Sequence, residues 1–254
     1  MQVVCWAIQE QAMGNLSGFC GIEHMWQWPF HRRVPAVTIR ERSFLFLAVC
    51  VAALFASPAF AASVTKLDDS GAGSLRQAIA ETSAGGTIDF AVKGVIKPTG
   101  GELTIDKNII ISGPGAGSVS VSGSKSSRVF NITAGDVTIS GLTICDGKTT
   151  GSPARGGAIY NNGKLTLKSV TVKDSQAVGS GGQSGYGGGI YNNATLTAVN
   201  CLISGNTAQG GDGASGGNGA RGGGICAVGA TAISGCTISG NTAAGGNSSG
   251  AGRA

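Results

Sequence analysis

The sequence predicts an all-β chain wound as a parallel β-solenoid with three short strands per coil. Three observations carry this: a repeated phrase, a fixed spacing of aliphatic residues, and length variation confined to one point of each repeat. The stretch "GGAIYNNGKLTLKSVTVKDSQA" (156–177) returns as "GGGIYNNATLTAVNCLISGNTA" (187–208). Ile159, Leu167 and Val172 are spaced by 8 and 5 residues, as are Ile190, Ala198 and Ile203, and again Ile225, Ile233 and Ile238. Local alternation, as in "LTLKSVTV", is strand patterning. Repeats of 31 and 35 residues suit one solenoid coil. The return from the third aliphatic position to the next first one takes 15, 18 and then 22 residues, so all length variation falls at one corner.

The first 61 residues differ from the rest. Residues 1–36 hold every Trp (Trp6, Trp26, Trp28) and both His (His24, His31) without periodicity, and read as an irregular upstream extension. Residues 37–61 have the layout of a signal peptide: Arg40 and Arg42, the apolar run "SFLFLAVCVAALFA" (43–56), Pro58 and the small-residue site "AFA". Cleavage is expected between Ala61 and Ala62. The apolar run has 14 residues, while a helix crossing a bilayer needs roughly 20. The expectation is therefore an exported chain, 62–254, with no membrane-spanning segment.

The next element is a helix. In "GSLRQAIAETSAGG" (73–86) Ser74 can serve as N-cap, and Leu75, Ala78 and Ile79 share one face. Laid over the first coil, such a helix would cover strand edges that otherwise invite aggregation. After it, "GTIDFAVKGVIKPTGGELTIDKNIIISGPGAGSVSVSG" alternates β-branched residues with Gly-rich turns and reads as earlier, irregular coils. An incomplete unit follows: Ile139 and Ile144 keep the spacing of 5, but Ile132 lies seven before Ile139.

Stacking the repeats aligns equivalent residues into columns: Asn161 with Asn192, Asn206 with Asn241, Tyr160 with Tyr191, Cys201 with Cys236. Amide ladders of this kind hydrogen-bond along the stack axis. The Cys201–Cys236 column admits a disulfide or two stacked thiols. The Gly-rich corners, including 209–222, admit a variable binding face or a tolerant insertion site. After residue 246 the next "GGGI" does not come, which predicts a chain truncated at its C-terminus.

Composition narrows the function. Residues 62–254 carry 14 Lys or Arg against 10 Asp or Glu without runs, which argues against a nucleic-acid partner. The absence of His from that span removes the usual general base near neutral pH. Glycoside hydrolysis ordinarily needs paired carboxylates. The one carboxylate column is Asp146 with Asp174, 28 residues apart, with Lys173 beside it and Gly205 and Gly240 at the same position in later coils. Such a pair admits cation binding or a solvated turn. No catalytic, cofactor-binding or metal residue is assigned. "GLTICDGKT" (141–149) has five residues between its glycines where a phosphate loop has four. The two "ARGG" sequences (154–157 and 220–223) are weak evidence for RNA binding. "NIT" (131–133) and "NAT" (193–195) are sequons only in a host that reads them.

"DDSGAGSLRQAIAETSAGGTIDF" (68–90) resembles the N-terminal segment of bacterial secreted proteins with a CSLREAI-type motif, with Gly73 where that motif has Cys. "GGAIYN", "GGGIYN" and "SGNTA" resemble polymorphic outer membrane protein repeats. The likeness covers 64–246 and implies a right-handed parallel β-helix of the pectin-lyase-like group. It implies an autotransported or surface-anchored protein acting in adhesion; with the constant three-strand frame and the varying Gly-rich corner, the expectation is a monomeric surface or secreted scaffold that binds glycans or host surfaces. The alternatives are a carbohydrate-active enzyme of the pectate-lyase-like type, with a carboxylate-bound Ca²⁺ and an Arg or Lys base, and a non-functional fragment of a larger autotransporter or surface protein.

Overall fold

A computed structural model describes residues 61–213 and 218–247, and every strand ladder in it is parallel. The upstream extension, the signal segment up to residue 60 and the chain from 248 onward lie outside the described residues. The chain is wound as a right-handed parallel β-helix. It opens with β1 (Ala62–Val64), helix α1 (Leu75–Glu81), β2 (Gly86–Phe90) and β3 (Gly94–Ile96). The next turn holds β4 (Leu103–Ile105), β5 (Ile109–Ser112) and β6 (Val119–Ser122). Five-strand coils follow. The first has β7 (Phe130–Ile132), β8 (Asp136–Ser140), β9 (Thr143–Cys145), β10 (Lys148–Gly151) and β11 (Ala154–Arg155). The second has β12 (Ile159–Asn161), β13 (Lys164–Lys168), β14 (Thr171–Lys173), β15 (Gln176–Gly179) and β16 (Gly185–Tyr186). The third has β17 (Ile190–Asn192), β18 (Thr195–Val199), β19 (Leu202–Ser204), β20 (Thr207–Gln209) and β21 (Ala220–Arg221). The last described turn holds β22 (Ile225–Ala227), β23 (Ala230–Ser234), β24 (Thr237–Ser239) and β25 (Thr242–Ala244).

Three long sheets form the frame that the 8-and-5 spacing predicts. They run β1-β2-β5-β8-β13-β18-β23, β3-β6-β9-β14-β19-β24 and β4-β7-β12-β17-β22. Their inward columns are the repeated aliphatics: Ile159 pairs with Ile190 and Ile190 with Ile225, Leu167 with Ala198, and Val172 with Ile203. These are fully buried except Ile225, and each such Leu, Ile or Val contributes about 1.5–3 kcal/mol. The irregular earlier unit is explained by its register. Phe130, not Ile132, pairs with Ile159, and the turn before Asp136 carries one extra residue, absorbed where Gly135 takes φ +91°. Ile132 faces Asn161 instead.

The return segment is more ordered than the three-strand pattern suggests. It forms two further short sheets, β10-β15-β20-β25 and β11-β16-β21. These strands carry too few apolar side chains to show alternation, and close backbone approach holds them instead. A Cβ on Gly185 would lie 2.2 Å from the Gln209 carbonyl oxygen and 2.4 Å from that of Ala177, so only glycine fits.

Every regular coil turns at three left-handed positions. One column is Gly141, Ser169, Asn200, Gly235; the second is Asp146, Asp174, Gly205, Gly240; the third is Gly156, Gly187, Gly222. All have φ between +50° and +64°, where L-residues are strained and Gly, Asn and Asp are the usual occupants.

Two polar ladders run inside the stack as predicted. Asn161 donates through Nδ2 to Asn192 Oδ1 at 2.7 Å, and Asn206 to Asn241 Oδ1 at 2.9 Å. At the N-terminal end, Ser74 caps α1 by accepting from the Gln77 N–H at 3.2 Å, and Leu75, Ala78 and Ile79 are buried. At the other end of the described coils, Ile233 and Ile238 occupy core columns yet are 45% and 48% exposed.

Candidate functional site

The structure brings Asp146 and Asp174 together at one corner, as their spacing predicts: Cys145 pairs with Lys173, and the next residue on each strand is the aspartate. The backbone supplies the reason for these residue types. Both sit at left-handed positions that Gly205 and Gly240 fill in later coils. Ser122 Oγ donates to Asp146 Oδ2 at 3.2 Å, and Lys173 Nζ lies 3.3 Å from Asp174 Oδ2. That hydrogen bond, with the charge of Asp174, raises the Lys173 pKa, which works against Lys173 as a base. A broad groove of about 510 Å³ passes beside them, lined by Lys97, Ser122, Lys125, Cys145, Asp146 and Lys173. Burial, aided by Asp146, pushes the Cys145 thiol up to about 11, so it is not an activated nucleophile. Among the described residues no group of three His, Cys, Asp or Glu side chains is placed to hold a metal ion.

A more elaborate arrangement lies on the outer face of the sheet containing β12 and β17. Tyr160 and Tyr191 pair in register and stack, with ring centroids 5.5 Å apart and planes 9° from parallel. Each ring carries a guanidinium: Arg128 sits 5.3 Å from the Tyr160 centroid and Arg155 5.3 Å from the Tyr191 centroid. The two cations differ in their partners. Arg128 is paired with Glu102 and also donates to the carbonyls of Arg155 and Gly156 at 2.9 Å each. Arg155 has no carboxylate in ion-pair distance among the described residues, and its buried Nε has no hydrogen-bond partner. An unsatisfied buried donor costs about 1–3 kcal/mol, more when charged.

Beside Arg155 in register stand Tyr186 and then Arg221. The Tyr186 ring is tilted 54° to that of Tyr191 at 6.4 Å. The tyrosine column itself ends at Cys226, which pairs with Tyr191. There a cleft of about 310 Å³ opens, bordered by Arg155, Tyr186, Tyr191, Arg221, Cys226 and Val228. Burial raises the pKa of both Tyr191 and Cys226, against the neighbouring cations Arg155 and, for Cys226, Arg221, so both side chains are neutral near neutral pH.

Sequence reasoning missed this cleft although a signal was present. The second residue of "ARGG", "GYGG" and "ARGG" (154–157, 185–188, 220–223) stands at one position of successive coils, just before the left-handed glycine. The "ARGG" sequences thus form part of a column on a folded wall rather than a flexible segment. "GLTICDGKT" spans β9 and the two left-handed corners that flank it, Gly141 and Asp146. Asn131 of "NIT" donates to Glu102, while Asn193 of "NAT" is exposed and donates to Asn162. Cys201 and Cys236 stack as free thiols, with Cys236 Sγ accepting from the Cys201 N–H at 3.3 Å.

No family model, curated protein sequence or solved structure matches the chain. The class of the protein therefore rests on its architecture: a parallel β-helix with a lengthening corner and an arginine–tyrosine cleft in which Arg155 has no carboxylate in ion-pair distance among the described residues.

Proposed function

We propose that this is an exported β-helix of the pectin-lyase-like group that acts as a surface or secreted binding scaffold for glycans or host surfaces. The observation that carries the reading is the contrast between a fixed frame and a growing edge. Between the two short return strands the connection has two residues in one coil (β10 to β11), five in the next (β15 to β16) and ten in the third (β20 to β21). The long sheets beside it keep their register unchanged. Variation concentrated in loops held by a rigid support is how binding surfaces are usually built. The signal-like segment before Ala62, and the resemblance of 64–246 to secreted and outer membrane repeats, support export. The enzyme reading has less behind it, since Asp146 and Asp174 are accounted for by their turn positions.

Expression of the full chain, with intact-mass analysis of medium and envelope fractions, tests export; a glycan panel and cell-adhesion assay test binding. The expected result is a product cleaved after Ala61 outside the cytoplasm, binding that changes when residues 210–219 are replaced by the two-residue Ser152–Pro153 connection. A folded product that stays uncleaved, or that binds neither glycans nor cells, overturns the reading.

A further inference from the structure

We propose that the cleft where the tyrosine column stops is a binding site for a pyranose ring bearing an anionic group, as part of an acidic glycan; this rests on the scaffold reading and names its ligand class. Three features of the cleft converge on that chemistry.

The first is a missing rung. Tyr160 stacks on Tyr191, and the next position in the column is Cys226, whose side chain is far smaller than a tyrosine ring. The vacated space, about 310 Å³, is at the small end of ligand pockets and suits one or two sugar rings. A ring lying there continues the stack, its apolar face on Tyr191 and its edge against the tilted Tyr186.

The second is charge without a counterion. The same arginine-over-tyrosine pair occurs twice, and in the Arg128–Tyr160 copy Glu102 neutralises the cation. In the Arg155–Tyr191 copy no carboxylate does so among the described residues, although Arg155 borders the cleft. An anionic oxygen supplied by the ligand would take the place that Glu102 takes beside Arg128, because a guanidinium binds carboxylate or sulfate through its N–H donors.

The third is a second cation in the same column, beyond Tyr186. Arg221 follows Arg155 and Tyr186 in register, two strand spacings of about 4.8 Å from Arg155. It also lacks an ion-pair partner among the described residues. Two arginines on one wall, with Tyr186 between them, favour an anionic ring over a neutral or cationic one. Carboxylate and sulfate esters share this chemistry, so the source of the anion is a matter for the test.

The test is calorimetric titration of the full chain with three sets of oligosaccharides of equal length: uronic-acid-containing, sulfated and neutral. The expected result is at least tenfold tighter binding of one acidic set than of the neutral set. That preference is lost in Arg155→Gln and in Cys226→Tyr, which fills the rung without removing a charge. Lys164→Gln, an equal charge loss at a remote exposed ion pair, keeps the preference. Thermal melts of each variant separate loss of the site from loss of the fold, and Arg221→Gln gives a second reading if Cys226→Tyr does not fold. Equal affinity for acidic and neutral sets, or a preference that survives both Arg155→Gln and Arg221→Gln, overturns the site while leaving the scaffold reading in place. Absence of binding to every glycan, and to cells, overturns both.

Discussion

Asn206 and Asn241 form one continuous hydrogen-bonded wire through the interior: Asn206 Nδ2 donates to Asn241 Oδ1 at 2.9 Å, and Asn206 Oδ1 accepts from the Ser175 N–H at 3.1 Å. Asn206 Nδ2 also donates to the Val172 carbonyl at 3.0 Å, and Asn206 is fully buried. The side chain thus ties the backbone of the preceding coil to the asparagine of the following one. Asn206→Ala strands the Ser175 N–H and the Val172 carbonyl, and is expected to destabilise the fold by about 2–4 kcal/mol. Urea denaturation measures this; a loss below about 0.5 kcal/mol contradicts the ladder's role.

The glycine corner makes a paired prediction. Gly185→Ala forces a Cβ into two carbonyl oxygens and is expected to cost more than about 3 kcal/mol. At Gly181 a Cβ meets nothing within 4 Å among the described residues, and its φ of +58° is strained, so Gly181→Ala is expected to cost about 1–2 kcal/mol. Thermal denaturation of the two variants side by side gives the order.

Asp174 separates a structural from a chemical role. Its φ of +54° is better served by glycine, which Gly205 and Gly240 already supply in this column. Asp174→Gly is expected to leave stability within about 0.5 kcal/mol, and Asp174→Ala to lose about 1 kcal/mol. The exposed Lys173–Asp174 contact adds little to either value. Denaturation curves check the stabilities. Release of sugar by the native chain, abolished in Asp174→Gly, would instead show that the carboxylate reacts.

The helical cap is expected to loosen in acid. Burial pushes the Asp69 carboxyl up, but the Gly100 N–H, Arg76 and Thr99 together outweigh it and hold the pKa below the usual aspartate value. A lowered folded pKa stabilises above the unfolded value and loses that contribution as pH falls through the folded one. The affected window therefore lies below about pH 4. Hydrogen exchange of the α1 amides is expected to accelerate there in the native chain, and to show no such step in Asp69→Asn.

Much of the frame is legible in the sequence because aliphatic side chains report it directly: Ile159, Leu167 and Val172 repeat wherever the core is continuous. The capping helix is legible for the same reason, through Ser74 and the Leu75–Ala78–Ile79 face. Phe130 escapes the pattern because one extra residue in the following turn breaks the count. The two return sheets are illegible because glycine backbones packed at contact leave no alternation to read. The cleft is harder still. Arg155, Tyr191 and Cys226 lie far apart in the chain, and only the pairing of β11 with β16 and of β17 with β22 brings them to one wall.

The register that pairs Ile159 with Ile190 leaves the chain free to change length in whole turns. Excising residues 159–189 would join Ala158 to Ile190 as it now joins Ile159, and each remaining corner would still meet its counterpart. Unequal recombination between the coding segments of two coils would therefore yield shorter or longer folded proteins in one step. It would also reshuffle which ring lies beneath which guanidinium, so the architecture carries within it a route for diversifying what it holds.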